Sequence, residues 1–270
     1  MSIHETRAGK INCLLIAGGM WHDIDFARLE LLKLLAEDDR IRVRVFEDYE
    51  NLQALQEADF IVSYTCNVVP SLTAQEALKA WVEKGGRWYA LHGTNSIIRL
   101  MSSGLYGTPD WAPLFVETLG SMFRSHPPIA PYTVSVADAS HQLAEGIEPF
   151  ESTDELYLLK TYGNLKVILD TEYGGKAEGF EEDDWEHARH PVFYTHTVGE
   201  GQVLYLTLGH CRHHHDMQPL LDYWPTIDRG SWDLPVFYTL LRRGIKWAIE
   251  PIDAETAEAL NKARQAAGTV

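Results

Sequence analysis

Apolar residues in this chain fall in short runs separated by turn-forming residues. Residues 12–18 run apolar into Gly18-Gly19, which predicts a buried strand ending in a tight turn. Phe60 to Tyr64 and Arg87 to His92 repeat the pattern. Ile41 to Phe46 alternates apolar and basic positions, which predicts a strand with one solvated face. Between these runs the period lengthens. Phe26, Leu29, Leu32 and Leu35 recur at helical spacing within Asp25 to Asp38. Thr73 and Glu76 have capping-box spacing ahead of a helix that Gly85-Gly86 stops. Strands alternating with helices imply βαβ units and a parallel sheet.

The second half is less regular. Residues 95–130 hold Gly, Pro, Ser and scattered aromatics, with one helix expected near Pro109 to Leu119. So long a segment inside a compact domain reads as a functional insertion. Thr133 to Val136 and Leu165 to Leu169 predict short strands, and acidic Phe180 to His190 an exposed loop. Pro191 to Val198 and Gln202 to Leu208 flank Gly199-Glu200-Gly201 as a hairpin. A tight connection sets Val198 opposite Gln202 and Thr207 near Phe193. That register brings His190 toward His210 and leaves His196 near the turn, remote from it. A helix follows from about Leu234 to Ile249 with Asp233 as its cap. A polar, Ala-rich helix at 253–267 lies in a tail at about 251–270. The expected organisation is one α/β domain over 1–270.

Composition narrows the partners. The chain carries 23 basic and 39 acidic residues, a net charge of −16. Nucleic acid and anionic membrane both call for basic surface, so neither is expected as the main partner. No apolar run approaches the ~20 residues of a membrane helix. Three cysteines, Cys13, Cys66 and Cys211, do not suggest a disulfide scaffold. Met1 to Lys10 is polar, without an apolar signal-peptide core, so a cytoplasmic location is expected.

Candidate chemistry lies at strand ends. Ligands of open α/β sheets bind in the crevice at the carboxyl ends of the strands. Three histidines fall there: His22 after Gly18-Gly19-Met20-Trp21, His92 ending the Arg87 strand, and His210 ending Gln202 to Gly209. They could converge as acid/base groups or metal ligands. His92-Gly93-Thr94 occupies the strand-to-helix turn where α/β enzymes place a nucleophile, and here it is neither Ser nor Cys. Asp23 reads equally as an orienter of His22 or as a helix N-cap. Asp154-Glu155 precedes an apolar run, and either carboxylate suits general acid/base work. His126 closes the long insertion. His213-His214-His215 reads as a solvated tract. No CxxC or HExxH is present, but three His with a carboxylate or water would suit a divalent metal such as Zn²⁺.

Taken in order, Gly18-Gly19, His22-Asp23, Ala90-Leu91-His92-Gly93, Phe123 with His126-Pro127, Asp154-Glu155-Leu156-Tyr157, and Pro191 to His196 followed by Gly199-Glu200-Gly201 and Leu208-Gly209-His210 resemble the trehalose-utilisation (ThuA-like) family. The resemblance spans residues ~11 to 250, and the ordered set is more specific than any one motif. It implies a flavodoxin-like three-layer sandwich with a mostly parallel central sheet and a C-terminal β-hairpin, similar to class I glutamine amidotransferases. It also shows a departure: those enzymes need Cys at the elbow and Glu two residues after the catalytic His, where this chain has His92 and Arg212. The family's link to catabolism of trehalose and related disaccharides, through 3-keto sugars, names a small-molecule carbohydrate as the substrate class. For such a substrate the strand-end chemistry makes His92, His210, Glu155 and Asp23 the expected catalytic residues. Trp21, Thr94, Asn95, His126, Tyr157 and His190 are expected around the substrate, and His22, His92 and His210 around a metal. The alternatives are a non-catalytic sugar-binding or scaffolding protein, and a glutaminase using Cys66 or Cys211. A homo-oligomer is compatible with the surface but not indicated by it.

Overall fold

The computed structural model describes residues 10–267. The expectation for the polar start of the chain thus falls, except for Lys10, outside the described residues, as do positions 268–270. The chain begins with β1 (Ile11–Gly19), α1 (Ile24–Leu35), β2 (Ile41–Phe46), α2 (Leu52–Glu57), β3 (Phe60–Cys66), α3 (Leu72–Glu83) and β4 (Arg87–Leu91). The insertion supplies β5 (Arg99–Leu100), β6 (Tyr106–Gly107), α4 (Pro113–Leu119) and β7 (Ser121–Ser125). Then come β8 (Ala130–Val136), β9 (Phe150–Asp154), β10 (Leu158–Thr161), β11 (Leu165–Lys176), β12 (Asp184–Val198), β13 (Gly201–Leu206) and α5 (Pro235–Ala267).

Nine strands form one sheet in the order β2-β1-β3-β4-β13-β12-β11-β8-β9. The five from β2 to β13 run parallel, and the remaining four extend the sheet in antiparallel fashion. Helices cover both faces, which gives the three layers. On β1, Cys13, Leu15 and Ala17 face a core shared with α1 and α5. Leu14 and Ile16 face the opposite core, with α2, α3 and α4. Burial on both faces is why β3 reads as one apolar run, with all seven residues buried.

Several expectations are corrected. The α3 cap is Ser71, whose side chain accepts from the Ala74 amide at 3.2 Å, so the helix starts upstream of the Thr73/Glu76 pair. The hairpin closes one residue tighter than expected: Val198 faces Gly201 and Phe193 faces Leu206. Gly199 at φ +61° permits that two-residue turn. The expected loop at 180–190 is half strand, because β12 begins at Asp184. Both faces are wet there, so the apolar period vanishes, and ion pairs hold the strand to β11. Lys176 Nζ lies 3.0 Å from Asp184, and Arg189 Nη1 lies 2.8 Å from Asp170. The two expected C-terminal helices are one helix, α5, which continues through Pro251. Ile249 and Ile252 keep it against the core on both sides of that proline.

His196 sits near the hairpin turn, as expected, packed by Gly120, Gly163 and the opposing Leu165. Burial lowers its pKa, and backbone carbonyls of Asn164 and Glu117 offset this only in part. A depressed folded-state value means the unfolded chain binds the proton more readily. The stability from neutral His196 is therefore fully present above the unfolded value near ~6.5 and is lost as pH falls below it. In urea unfolding between pH 7 and 5, His196→Gln is expected to lose stability less steeply than the parent. Parallel slopes would refute this.

Candidate functional site

Four adjacent parallel strands, β1, β3, β4 and β13, end on the same side of the sheet, and three of them hand a histidine to one point. Gly18 and Gly19 let the end of β1 lie against its neighbours, and the chain then turns through Trp21 at φ +68° to place His22. His92 follows β4 at φ +44° and opens a 3₁₀ turn, His92–Asn95. His210 lies four residues beyond β13. Trp21, Asn67 and His92 are the non-glycine residues with positive φ among the described residues. All three stand at ends of β1, β3 and β4. Such backbone costs ~1–2 kcal/mol per residue and collects where the surroundings enforce it, often at functional sites.

The carboxylate arrives from the link between β9 and β10. Asp154 and Glu155 divide the work there. Asp154 turns inward as an anchor. Its Oδ1 accepts from the amides of Glu155 (2.8 Å) and His210 (3.1 Å), and its Oδ2 from those of Gly209 and Ser231 (both 2.9 Å). Glu155 turns into the site. Its Oε2 lies 3.6 Å from His22 Nε2 and 3.5 Å from His92 Nε2. Its Oε1 lies 3.2 Å from His210 Nδ1, 3.3 Å from Arg212 Nη2 and 3.7 Å from His126 Nε2. One buried carboxylate thus faces four imidazoles and a guanidinium. Asp228 Oδ2 stands 3.8 Å behind His210 Nε2.

Electrostatics separates these groups. Burial pushes Glu155 up, yet His210, His126 and His22 together hold its carboxyl well below the usual range. Burial opposes charge on His210, but Glu155 and Asp228 outweigh it and hold that imidazole up at about 9. Burial takes His22 down to about 3, with His92 adding to the fall and Glu155 resisting it. Near neutrality the centre therefore holds an ionised Glu155, a protonated His210 and a neutral His22. Burial and the Glu155 charge push Tyr157 up, so it remains a hydroxyl, 3.3 Å from His92 Nε2.

A cavity of about 140 Å³ opens above Glu155. Trp21, Tyr106, Phe123 and Phe180 supply its aromatic walls, and Met217 and Leu220 reach it from the loop after His210. Arg212 is held in place by Trp21 O at 3.1 Å and by the ring of Trp224, 4.8 Å from its guanidinium carbon. Ile98, Tyr106, Phe123 and His126 come from the insertion, which thus builds one side of the pocket.

Of the expected site residues, His22, His92, His210 and Glu155 converge, and Trp21, His126 and Tyr157 line the cavity or touch the cluster. Asp23 serves as the α1 cap, accepting from the Phe26 amide at 3.1 Å, and pairs with Arg229 at 3.1 Å. Thr94 bonds Ser63, and Asn95 bonds Ser121, both beneath the pocket floor. His190 packs against Trp185 and Tyr173, with its Nε2 3.2 Å from Tyr173 O, away from His210. Arg212, Tyr106, Phe123 and Phe180 were not expected as site residues, and Cys66 only as a nucleophile of the glutaminase alternative. Burial, reinforced by Glu155, pushes the Cys66 thiol far up, and burial takes Cys211 up to about 12. Neither thiol is poised as a nucleophile.

An open three-layer α/β fold with a His/Glu cluster at its parallel strand ends defines a protein with a strand-end pocket. The trehalose-utilisation (ThuA) family model matches residues 13–223, and the chain belongs to that family. That membership ties it to a carbohydrate-related role. The fold is similar to a ThuA-like protein from Parabacteroides merdae ATCC 43184, at 18% identity and TM-score 0.62, covering 88% of this chain and 90% of that one. A ThuA-like protein from Bacteroides uniformis ATCC 8492 is similar at 17% identity and TM-score 0.59, covering 88% and 91%. A β-galactosidase from Rahnella sp. R3 shares the fold at 12% identity and TM-score 0.51, over 89% of this chain and 31% of that one. No curated protein matches the sequence. No described helix is long and apolar enough to cross a membrane.

Proposed function

We propose that this protein is an enzyme of carbohydrate catabolism that moves protons on a keto sugar derived from a disaccharide. One observation carries the proposal: a single buried carboxylate ringed by four imidazoles and Arg212, at the floor of an aromatic-walled pocket. Aromatic faces suit the apolar faces of sugar rings, and the polar floor suits hydroxyls. The family's carbohydrate role supports the same substrate class.

The residues divide the chemistry as follows. His126 is the accessible imidazole, its side chain 24% exposed, with Nδ1 2.7 Å from Pro127 O and Nε2 turned toward Glu155. It takes the proton from the carbon between a ring ketone and the glycosidic carbon. The C–H electron pair becomes an enolate, whose oxygen Arg212 and the Tyr157 hydroxyl hold. The glycosidic C–O bond then breaks, and the departing sugar oxygen receives the proton from His126. Glu155 and His210 fix the charges of the floor throughout. With three buried free cysteines, the chain suits a reducing cytoplasm.

The test is incubation with 3-keto-trehalose and unmodified trehalose in D₂O, followed by NMR. The keto sugar is expected to exchange its proton and release a monosaccharide, while trehalose does neither. Glu155→Gln and His126→Asn are each expected to slow the reaction by roughly 10²–10⁴-fold. Sugar binding without exchange or cleavage would favour a non-catalytic binding protein. Full activity in both variants would remove the chemistry from this site.

A further inference from the structure

The innermost donors of the pocket belong to His22, His92, Glu155 and His210, all buried, with one donor atom from each lying within 4.8 Å of every other. We propose that they form a binding site for one divalent transition-metal ion, with zinc as its best match.

Ring orientation is the first support. His92 Nδ1 lies 2.7 Å from Thr207 O, and His22 Nδ1 lies 3.3 Å from Met20 O. A carbonyl only accepts, so each Nδ1 carries its ring hydrogen. That turns both Nε2 atoms into the site, where they face each other at 2.9 Å. Two ring nitrogens so close must share a cation, a proton in a hydrogen bond or a metal ion that replaces it. Metal-ligating histidines are commonly fixed this way, with the far N–H given to a backbone carbonyl.

His210 is the second support. Its ring is fully buried, yet neither nitrogen has an aligned hydrogen bond among the described residues. A buried polar atom without a partner is costly. A metal ion would displace the Nδ1 proton of His210 and take that nitrogen beside Glu155, with Asp228 behind Nε2 as the outer carboxylate.

Spacing and donor type agree. Donors bound at ~2.1 Å to one ion stand about 3.0–3.5 Å apart when adjacent. The observed separations are 2.9 Å between the His22 and His92 nitrogens, 3.6 and 3.5 Å from Glu155 Oε2 to those two, and 3.2 Å from Glu155 Oε1 to His210 Nδ1, so the carboxylate reaches the three rings with both of its oxygens. Three imidazoles and one carboxylate favour zinc-class ions over calcium or magnesium, which prefer all-oxygen shells. Cys66 lines the pocket but is not among these four donors. The site occupies the same floor as the proposed sugar chemistry, but metal occupancy is measured without turnover, so either proposal can fail alone.

The experiment uses tag-free full-length chain, stripped with a chelator and checked by circular dichroism. Zinc, manganese and magnesium are titrated by calorimetry, and bound metal is counted by elemental analysis. One zinc per chain is expected, with a rise in melting temperature, and no stoichiometric magnesium. Glu155→Gln, close to the parent in shape, and His92→Ala are expected to weaken zinc binding by at least ~100-fold. The double variant His213→Gln/His215→Gln alters the histidine tract outside the four donors and is expected to keep one tight zinc. The proposal is overturned if the folded parent takes up no zinc and shows no melting shift. It is equally overturned if Glu155→Gln and His92→Ala bind as the parent does, or if the double variant alone loses the metal.

Discussion

Replacing Asp154 with alanine is expected to remove about 3–5 kcal/mol of stability, a large share of the ~5–15 kcal/mol that holds a typical domain together. Asp154 is fully buried, and four backbone amides converge on its carboxylate. They come from three segments: the start of the β9–β10 link, Gly209-His210 in the segment after β13, and Ser231 ahead of α5. The Ser231 hydroxyl donates to Oδ2 as well. Alanine would leave the four amides buried without a partner, each at its full desolvation cost, while the Ser231 hydroxyl keeps Ser152 Oγ at 2.8 Å. Asp154→Asn keeps an acceptor oxygen but turns an NH₂ group toward donors, so an intermediate loss of about 2 kcal/mol is expected. Denaturant unfolding of the three proteins checks the order. An alanine variant within ~1 kcal/mol of the parent would show that these segments are held by packing instead. The effect also reaches function, because the same carboxylate fixes the backbone of both Glu155 and His210.

The pairing of an anchor with a working carboxylate explains what could and could not be read from residue order. The buried parallel strands were legible because burial on both faces leaves continuous apolar runs at β1, β3, β4 and β13. The three strand-end histidines followed from the rule that open sheets bind at carboxyl ends. Asp154 and Glu155 could not be told apart, since neighbours on extended backbone point to opposite sides and only the tertiary contacts assign each side. Asp23 was ambiguous for a related reason: a carboxylate after a turn caps a helix as readily as it orients a histidine. His190 was misplaced because the hairpin argument assumed that its two strands stay together. Instead the chain leaves the sheet at Thr207, whose amide still bonds Val192 O at 2.8 Å while its carbonyl turns to His92. β12 runs on past that point along β11 and carries His190 to Trp185. The aromatic walls come from Tyr106, Phe123 and Phe180, in segments whose strands are short or solvated and so carry no readable period. Arg212 stood out only as the residue replacing a catalytic Glu. Its approach to Glu155 depends on the fold of the loop that follows.

A contrast between two glycines tests how the sheet end builds the site. Gly19 has φ +109°, and a Cβ there would lie 1.8 Å from Cys66 O on the paired strand. Gly85 has φ +103°, but a Cβ there meets nothing within 4 Å. Gly85→Ala is therefore expected to cost only the left-handed backbone penalty, ~1–2 kcal/mol. Gly19→Ala adds a clash that no rotamer relieves, because both partners are backbone. β1 and β3 would have to separate at their ends, where Gly19 pairs with Cys66 and the Met20 amide bonds Cys66 O at 3.1 Å. The expected loss is about 4 kcal/mol or more, of the size seen for severe core overpacking and strain. Where a folded fraction survives, His22 is displaced along with the turn that carries it. Ligand binding at the pocket should then fall in Gly19→Ala and stay at the parental level in Gly85→Ala. Equal stability losses in the two variants would mean that the strand ends yield easily. The placement of His22 would then rest on contacts beyond the Gly18-Gly19 turn.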